Sequence, residues 1–94
     1  MKVAYPVIFT DVDTNILIEV PDLGIITEAN EEGKAKGTMA DAIMMARDAI
    51  GINCIEAEDN GKKIIKPSEI YDIDVSKGTF YGEGQMILSL VELV

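Results

Sequence analysis

The sequence predicts an α+β fold: a single sheet in β-β-β-α-β order, with one main helix on one face. Three observations predict it. Residues 3–29 read as three short strands separated by turns. Residues 38–50, TMADAIMMARDAI, carry the spacing of an amphipathic helix. Residues 85–94, QMILSLVELV, form a strand-like run that is apolar on both sides.

The first strand is assigned to residues 3–10, rich in Val, Ile, Tyr and Phe. Pro6 has no backbone donor, so it belongs at a strand start, at a bulge, or where that donor is not needed. Asp11-Val12-Asp13-Thr14-Asn15 is turn material. A second strand over 16–20 places Ile16, Ile18 and Val20 on one face and Leu17 and Glu19 on the other. The short connection makes these two strands an antiparallel hairpin. Pro21-Asp22-Leu23-Gly24 is a further turn, and 25–29 a shorter third strand whose Glu28 suits an exposed edge.

The helix starts at Thr38, which can N-cap it, with Asp41 three residues on completing an approximate capping box. Met39, Ile43, Ala46 and Ile50 fall on one stripe and are the expected core residues. Met44 falls between Asp41 and Asp48 on the opposite side and is expected to face solvent until a partner covers it. Gly51 either ends the helix or sits inside a longer one running towards Asn60 with Gly61 just past its end; continuation, straight or with a kink or break at Gly51, is the preferred reading. In a straight continuation Cys54 and Ala57 stay near the core stripe, and Ile52 and Ile55 do not. Residues 60–84 are an irregular segment, with a short helical turn starting at Pro67; so long a loop in a small domain often touches a partner. The last strand, arriving after a helical crossover, is expected beside strand one and parallel to it, giving the order 3-2-1-4. One helix covers one face, so the other face predicts association, most simply a two-fold homodimer.

Ninety-four residues with 48% hydrophobic content support one modest core. Eight basic against seventeen acidic residues leave a net charge of −9. That excludes the Lys/Arg footprint of a nucleic-acid surface and suits a basic protein partner. Cys54 is the only cysteine, so no intrachain disulfide forms, and a cytoplasmic thiol is the default. With no histidine there is no His base, triad or His-ligated metal. No apolar run reaches the roughly 18 residues of a membrane span. The start of the chain reads as a first strand rather than a signal peptide.

Several short motifs recur in a known order: Tyr5-Pro6-Val7-Ile8-Phe9, then Val20-Pro21-Asp22-Leu23, then Ala40-Asp41-Ala42, then Gly61 and Pro67-Ser68. In order and spacing, the chain resembles the HicB-like antitoxin family over residues 3–94. The resemblance implies an incomplete ribonuclease-H-like fold with the same element order. It also implies a partner, a small basic HicA-type ribonuclease toxin that cleaves mRNA, which such antitoxins inhibit by covering it. Gly24 directly follows Pro-Asp-Leu where the family usually has a Pro-Gly-Cys-like turn. Many members carry a DNA-binding module at the C-terminus; here the reading is one domain over 1–94, with no separate DNA-binding domain and no direct nucleic-acid contact.

Two other classes of function compete. A ribonuclease-H-like enzyme needs acids converging from strand one, the helix and the following strand. Only Asp11, Asp41, Asp48 and Glu92 are available, and their expected positions diverge. A small-molecule regulatory module lacks a phosphate loop, since Gly78, Gly82 and Gly84 fit no such pattern. The expectation is therefore a non-enzymatic antitoxin without metal or cofactor. Asp11, Asp13, Glu19, Asp22 and Glu28 are the candidate charged contacts, and Met44 an apolar one.

Overall fold

The computed structural model describes residues 3–93. Its elements are β1 (Val3–Asp11), β2 (Ile16–Val20), β3 (Ile25–Glu28), α1 (Met39–Asp59) and β4 (Gln85–Leu93), with short 3₁₀ turns at Pro21–Leu23, Ile70–Asp72 and Val75–Lys77. Val94, assigned to the last strand from sequence, lies outside the described residues. The four strands form one sheet in the order β3-β2-β1-β4.

Helix α1 is fixed at both ends by local chemistry. The Thr38 hydroxyl accepts from the Asp41 backbone N–H, and the Asp41 carboxylate accepts from the Thr38 N–H at 2.8 Å, which completes the capping box. These bonds hold the Asp41 carboxyl below the usual carboxylate range, the Thr38 backbone contributing most. At the other end the Lys62 N–H reaches the Ala57 carbonyl and the Gly61 N–H reaches that of Glu58. This double closure needs a left-handed residue, and Gly61 supplies φ +70. The helix runs unbroken through Gly51.

Ala42, Ala46, Ile50 and Cys54 are the buried helix positions, spaced four apart. They pack on Tyr5, Val7, Phe9, Ile16, Ile18, Val20 and Val91 of the sheet. Small residues at 42 and 46 let the helix backbone approach the sheet closely. Of the expected core stripe, Ala46 and Ile50 are fully buried, while Met39 and Ile43 are partly buried along its margin.

Two expectations are corrected. First, β4 runs antiparallel to β1, with Val3 opposite Leu93 and Asp11 opposite Gln85. The reason is the route of residues 61–84, here called the strap. It leaves the end of α1 near Tyr5, whose hydroxyl donates to the Ile65 carbonyl. It then crosses the sheet face opposite the helix and brings Gly84 against the Asp11 carbonyl. β4 must therefore start beside the end of β1 and run back. A Cβ at position 84 would stand 2.0 Å from the Asp11 oxygen, so only glycine fits this entry.

Second, the face without the helix is not bare. Pro6, Ile8 and Thr10 on that face are buried. Gly78 of the strap lies against the Ile8 side chain and the Glu19 carboxylate. The strap thus does what a second helix would do, without regular structure. Pro6 is accommodated because the β1–β2 register begins at Ile8. Alongside Pro6, β1 is flanked by the Pro21–Leu23 turn rather than by a strand, so no sheet bond is lost there.

Candidate functional site

The candidate contact residues divide into three groups. Asp11 and Asp13 are exposed at the sheet end where β1 turns into β2. Asp11 forms an ion pair with Lys36 of the loop before the helix. An open notch of about 550 Å³ is lined by these two acids together with Glu83 and Gly84. Among the described residues no group of three or more His, Cys, Asp or Glu side chains could hold a metal ion. Asp41 caps the helix, Asp48 is exposed, and Glu92 faces the strap side of β4, so the acids weighed for two-metal chemistry stand apart.

Glu19, Asp22 and Glu28 are engaged inside the fold. Glu19 accepts from the Thr79 N–H at 2.9 Å and from its hydroxyl at 2.7 Å. Asp22 accepts from the Ser68 N–H and hydroxyl, each at 2.7 Å. Both acids therefore fasten the strap to the first hairpin. Glu28 accepts from the Asn15 side chain at 3.2 Å.

From sequence Asn15 is turn material only. It is buried, and its carbonyl oxygen accepts from the Ile16 and Gly37 N–H groups while its amide donates to the Asn30 carbonyl. It ties the loop ahead of α1 to the start of β2. No sequence pattern marks that role, since its partners lie 15 and 22 residues away.

The remaining group is the outer face of α1. Met44, Ile52 and Ile55 are 61%, 59% and 60% exposed. Eleven residues close about three helical turns, so Met44 and Ile55 lie almost on one line, about 16 Å apart. Asp41, Asp48, Ile52 and Asp59 fall within about 80° of that line. The ridge reads Asp, Met, Asp, Ile, Ile, Asp, and every member is exposed. It lies diametrically opposite the buried stripe, so nothing within the domain covers it. Three large apolar side chains interleaved with acids offer a partner both apolar contact and negative charge. Helical spacing in the sequence marks Met44 as solvent-facing and places Ile52 and Ile55 off the core stripe, without joining the three.

Four further open hollows hold about 230 to 340 Å³ each. A cleft of about 230 Å³ between strap and sheet is lined by Ile8, Glu19, Pro21 and residues 72–74, 77 and 78. This is below the range usual for metabolite sites. Among the described residues no helix is long and apolar enough to cross a membrane.

No family model and no curated protein matches the sequence. Among solved structures, the chain is similar to one from a toxin-antitoxin complex of Streptococcus pneumoniae. The TM-score is 0.73 at 19% identity, covering all of this chain and 70% of the other. At that identity the likeness is one of fold.

Proposed function

We propose that this chain is an antitoxin that binds and occludes a small basic HicA-type toxin, an mRNA-cleaving ribonuclease, and that it acts as a homodimer in the cytoplasm without catalytic chemistry of its own. One observation carries the reading: the ridge of Met44, Ile52 and Ile55 set among Asp41, Asp48 and Asp59 on the outer face of α1. A protein that binds RNA must present cations, and an acidic partner competes for the same cations. The net charge of −9 steers such an encounter, and the apolar side chains hold it. Asp11 and Asp13 are exposed and add to the field. Glu19, Asp22 and Glu28 contribute charge mainly while holding the strap and loop in place. Likeness of fold to a chain of a toxin–antitoxin complex supports the reading, as does the order of the HicB-like motifs.

The test is co-expression with the small basic protein encoded beside this chain. Complex formation at low salt and rescue of growth are expected, with both lost in the variant Met44→Asp/Ile55→Asp. A neighbour that is harmless alone, or that does not co-purify, would overturn the reading for that pair.

A further inference from the structure

The two edges of the sheet are unlike. β3 is four residues long, which leaves little backbone to pair. β4 is nine residues long and pairs with no other strand than β1, which makes it the other edge of the sheet. It contains no Lys, Arg or Pro, and its single acid, Glu92, is next to its end. Ile87 and Leu90 are 44% and 49% exposed along it. Tyr71, in the strap turn that packs against β4, is 92% exposed. Of the usual devices that blunt an edge strand, only Glu92 near one end and the strap turn beside the strand are present, and Gln85–Val91 carry no charge and no proline.

A row of open N–H and C=O groups is matched only by another extended strand. We propose that β4 pairs antiparallel with β4 of a second copy of this chain, joining two four-stranded sheets into one of eight, with the two-fold axis at Ser89. This rests on the self-association part of the functional reading and not on the toxin.

The register follows from geometry. A two-fold axis perpendicular to the sheet keeps each face on its own side. Side chains alternate along a strand, so one residue must lie opposite itself. Ser89 is the midpoint of β4, and centring there pairs its full length. Leu88 then meets the partner's Leu90 on the strap side, and Ile87 meets the partner's Val91 on the helix side. Glu92 lies opposite the partner's Met86, so no acid faces an acid. Centring on Leu90 instead would set Leu88 against the partner's Glu92 and shorten the overlap. Arg47 of α1 donates to the Glu92 carbonyl at 3.0 Å, which brings the helix's one cation to this edge. A second copy is therefore favoured over a foreign strand, because this strand is complementary to itself.

The experiment measures solution mass by light scattering at tens of micromolar, together with cysteine cross-linking. The chain should have twice its 10.2 kDa mass. Ser89→Cys should form an intermolecular disulfide under mild oxidant, because opposed residues on paired strands come within disulfide reach. Ile87→Cys should not, as its counterpart lies opposite Val91; the unaltered chain, with Cys54 buried, serves as control. Ser89→Lys should halve the mass with an unchanged circular-dichroism spectrum. A monomeric unaltered chain would overturn both this proposal and self-association. A dimer that survives Ser89→Lys, or in which Ser89→Cys does not cross-link, would overturn the β4 edge and leave self-association standing. A monomeric chain in which Ser89→Lys abolishes capture of the basic partner would assign the edge to that partner and overturn the proposal.

Discussion

Glu19, in the second strand, takes both the backbone N–H and the hydroxyl of Thr79, sixty residues later in the chain. A single carboxylate thereby pins the strap over Ile8. Glu19→Ala should leave the Thr79 groups without this acceptor and cost about 1–2 kcal/mol, less than a fully buried charged bond because the site is half open to water. Chemical denaturation reads the stability. Hydrogen exchange should show faster opening of residues 75–84 while α1 stays protected. Uniform loss of protection across the chain would contradict this account of Glu19.

The capping box makes an acid-sensitivity prediction. Thr38→Ala removes the cap and should cost about 1 kcal/mol. The Asp41 carboxyl titrates below its ordinary value because the Thr38 N–H and hydroxyl bond to it. The unfolded chain therefore takes up a proton first as pH falls. The contribution is complete above about pH 4 and is lost as pH falls through the folded value. Asp74, held low by Ser76, has the same sign. In Asp41→Asn, which has no carboxyl to titrate, the drop in thermal midpoint below pH 4 should be shallower than in the parent, whereas Thr38→Ala, which keeps the backbone N–H, should flatten it only in part.

Tyr5 has the opposite dependence. Burial pushes its phenol up, and Cys54 and Asp22 nearby add to the shift. Its contribution is complete below about pH 10 and is lost as pH rises through the folded value. Tyr5→Phe removes the bond to the Ile65 carbonyl, should cost about 1 kcal/mol near neutrality, and should flatten the alkaline limb of the stability profile. An unchanged alkaline limb would show that another group sets it.

Thr10 is buried with its hydroxyl oxygen unpartnered. Thr10→Val keeps the shape and removes the unsatisfied group, so it should stabilise the fold by up to about 1 kcal/mol, measured by thermal or urea unfolding. A loss of stability would mean that the hydroxyl is satisfied in solution.

Met44→Asp/Ile55→Asp should cost about 1–2 kcal/mol of folding stability, because both side chains are exposed but the new acids stand four residues from Asp48 and Asp59 on the helix. The variant should stay folded and lose partner capture. A variant that unfolds, or that binds as tightly as the parent, would remove the helix ridge from the contact.

The elements that the sequence disclosed are those whose cause lies within a few residues. Thr38 with Asp41 marks the helix start, Gly61 marks its end, and alternation in 16–20 separates Ile16, Ile18 and Val20 from Glu19. The direction of β4 was not legible, because it depends on the strap climbing the far face before β4 begins. That path is set by Asp22 with Ser68 and by Glu19 with Thr79, pairs separated by 46 and 60 residues. The same separation hid the internal role of the acids. Glu19 and Asp22 look like free surface charge until the residues they bind are brought to them. Met44 was legible as solvent-facing from helical spacing alone, whereas its grouping with Ile52 and Ile55 required the helix to pass Gly51 unbroken.

The pairing of Val3 with Leu93 has a consequence for synthesis. β1, β2 and β3 can zip together as soon as they leave the ribosome, since their contacts are local. β1 gains its second neighbour only when β4 has been made, after the helix and the whole strap. Until then the most apolar strand of the nascent chain has an unpaired side, and such long-range closure is slow. Any activity that needs the finished sheet waits until Leu93 has left the ribosome and β4 can pair with β1.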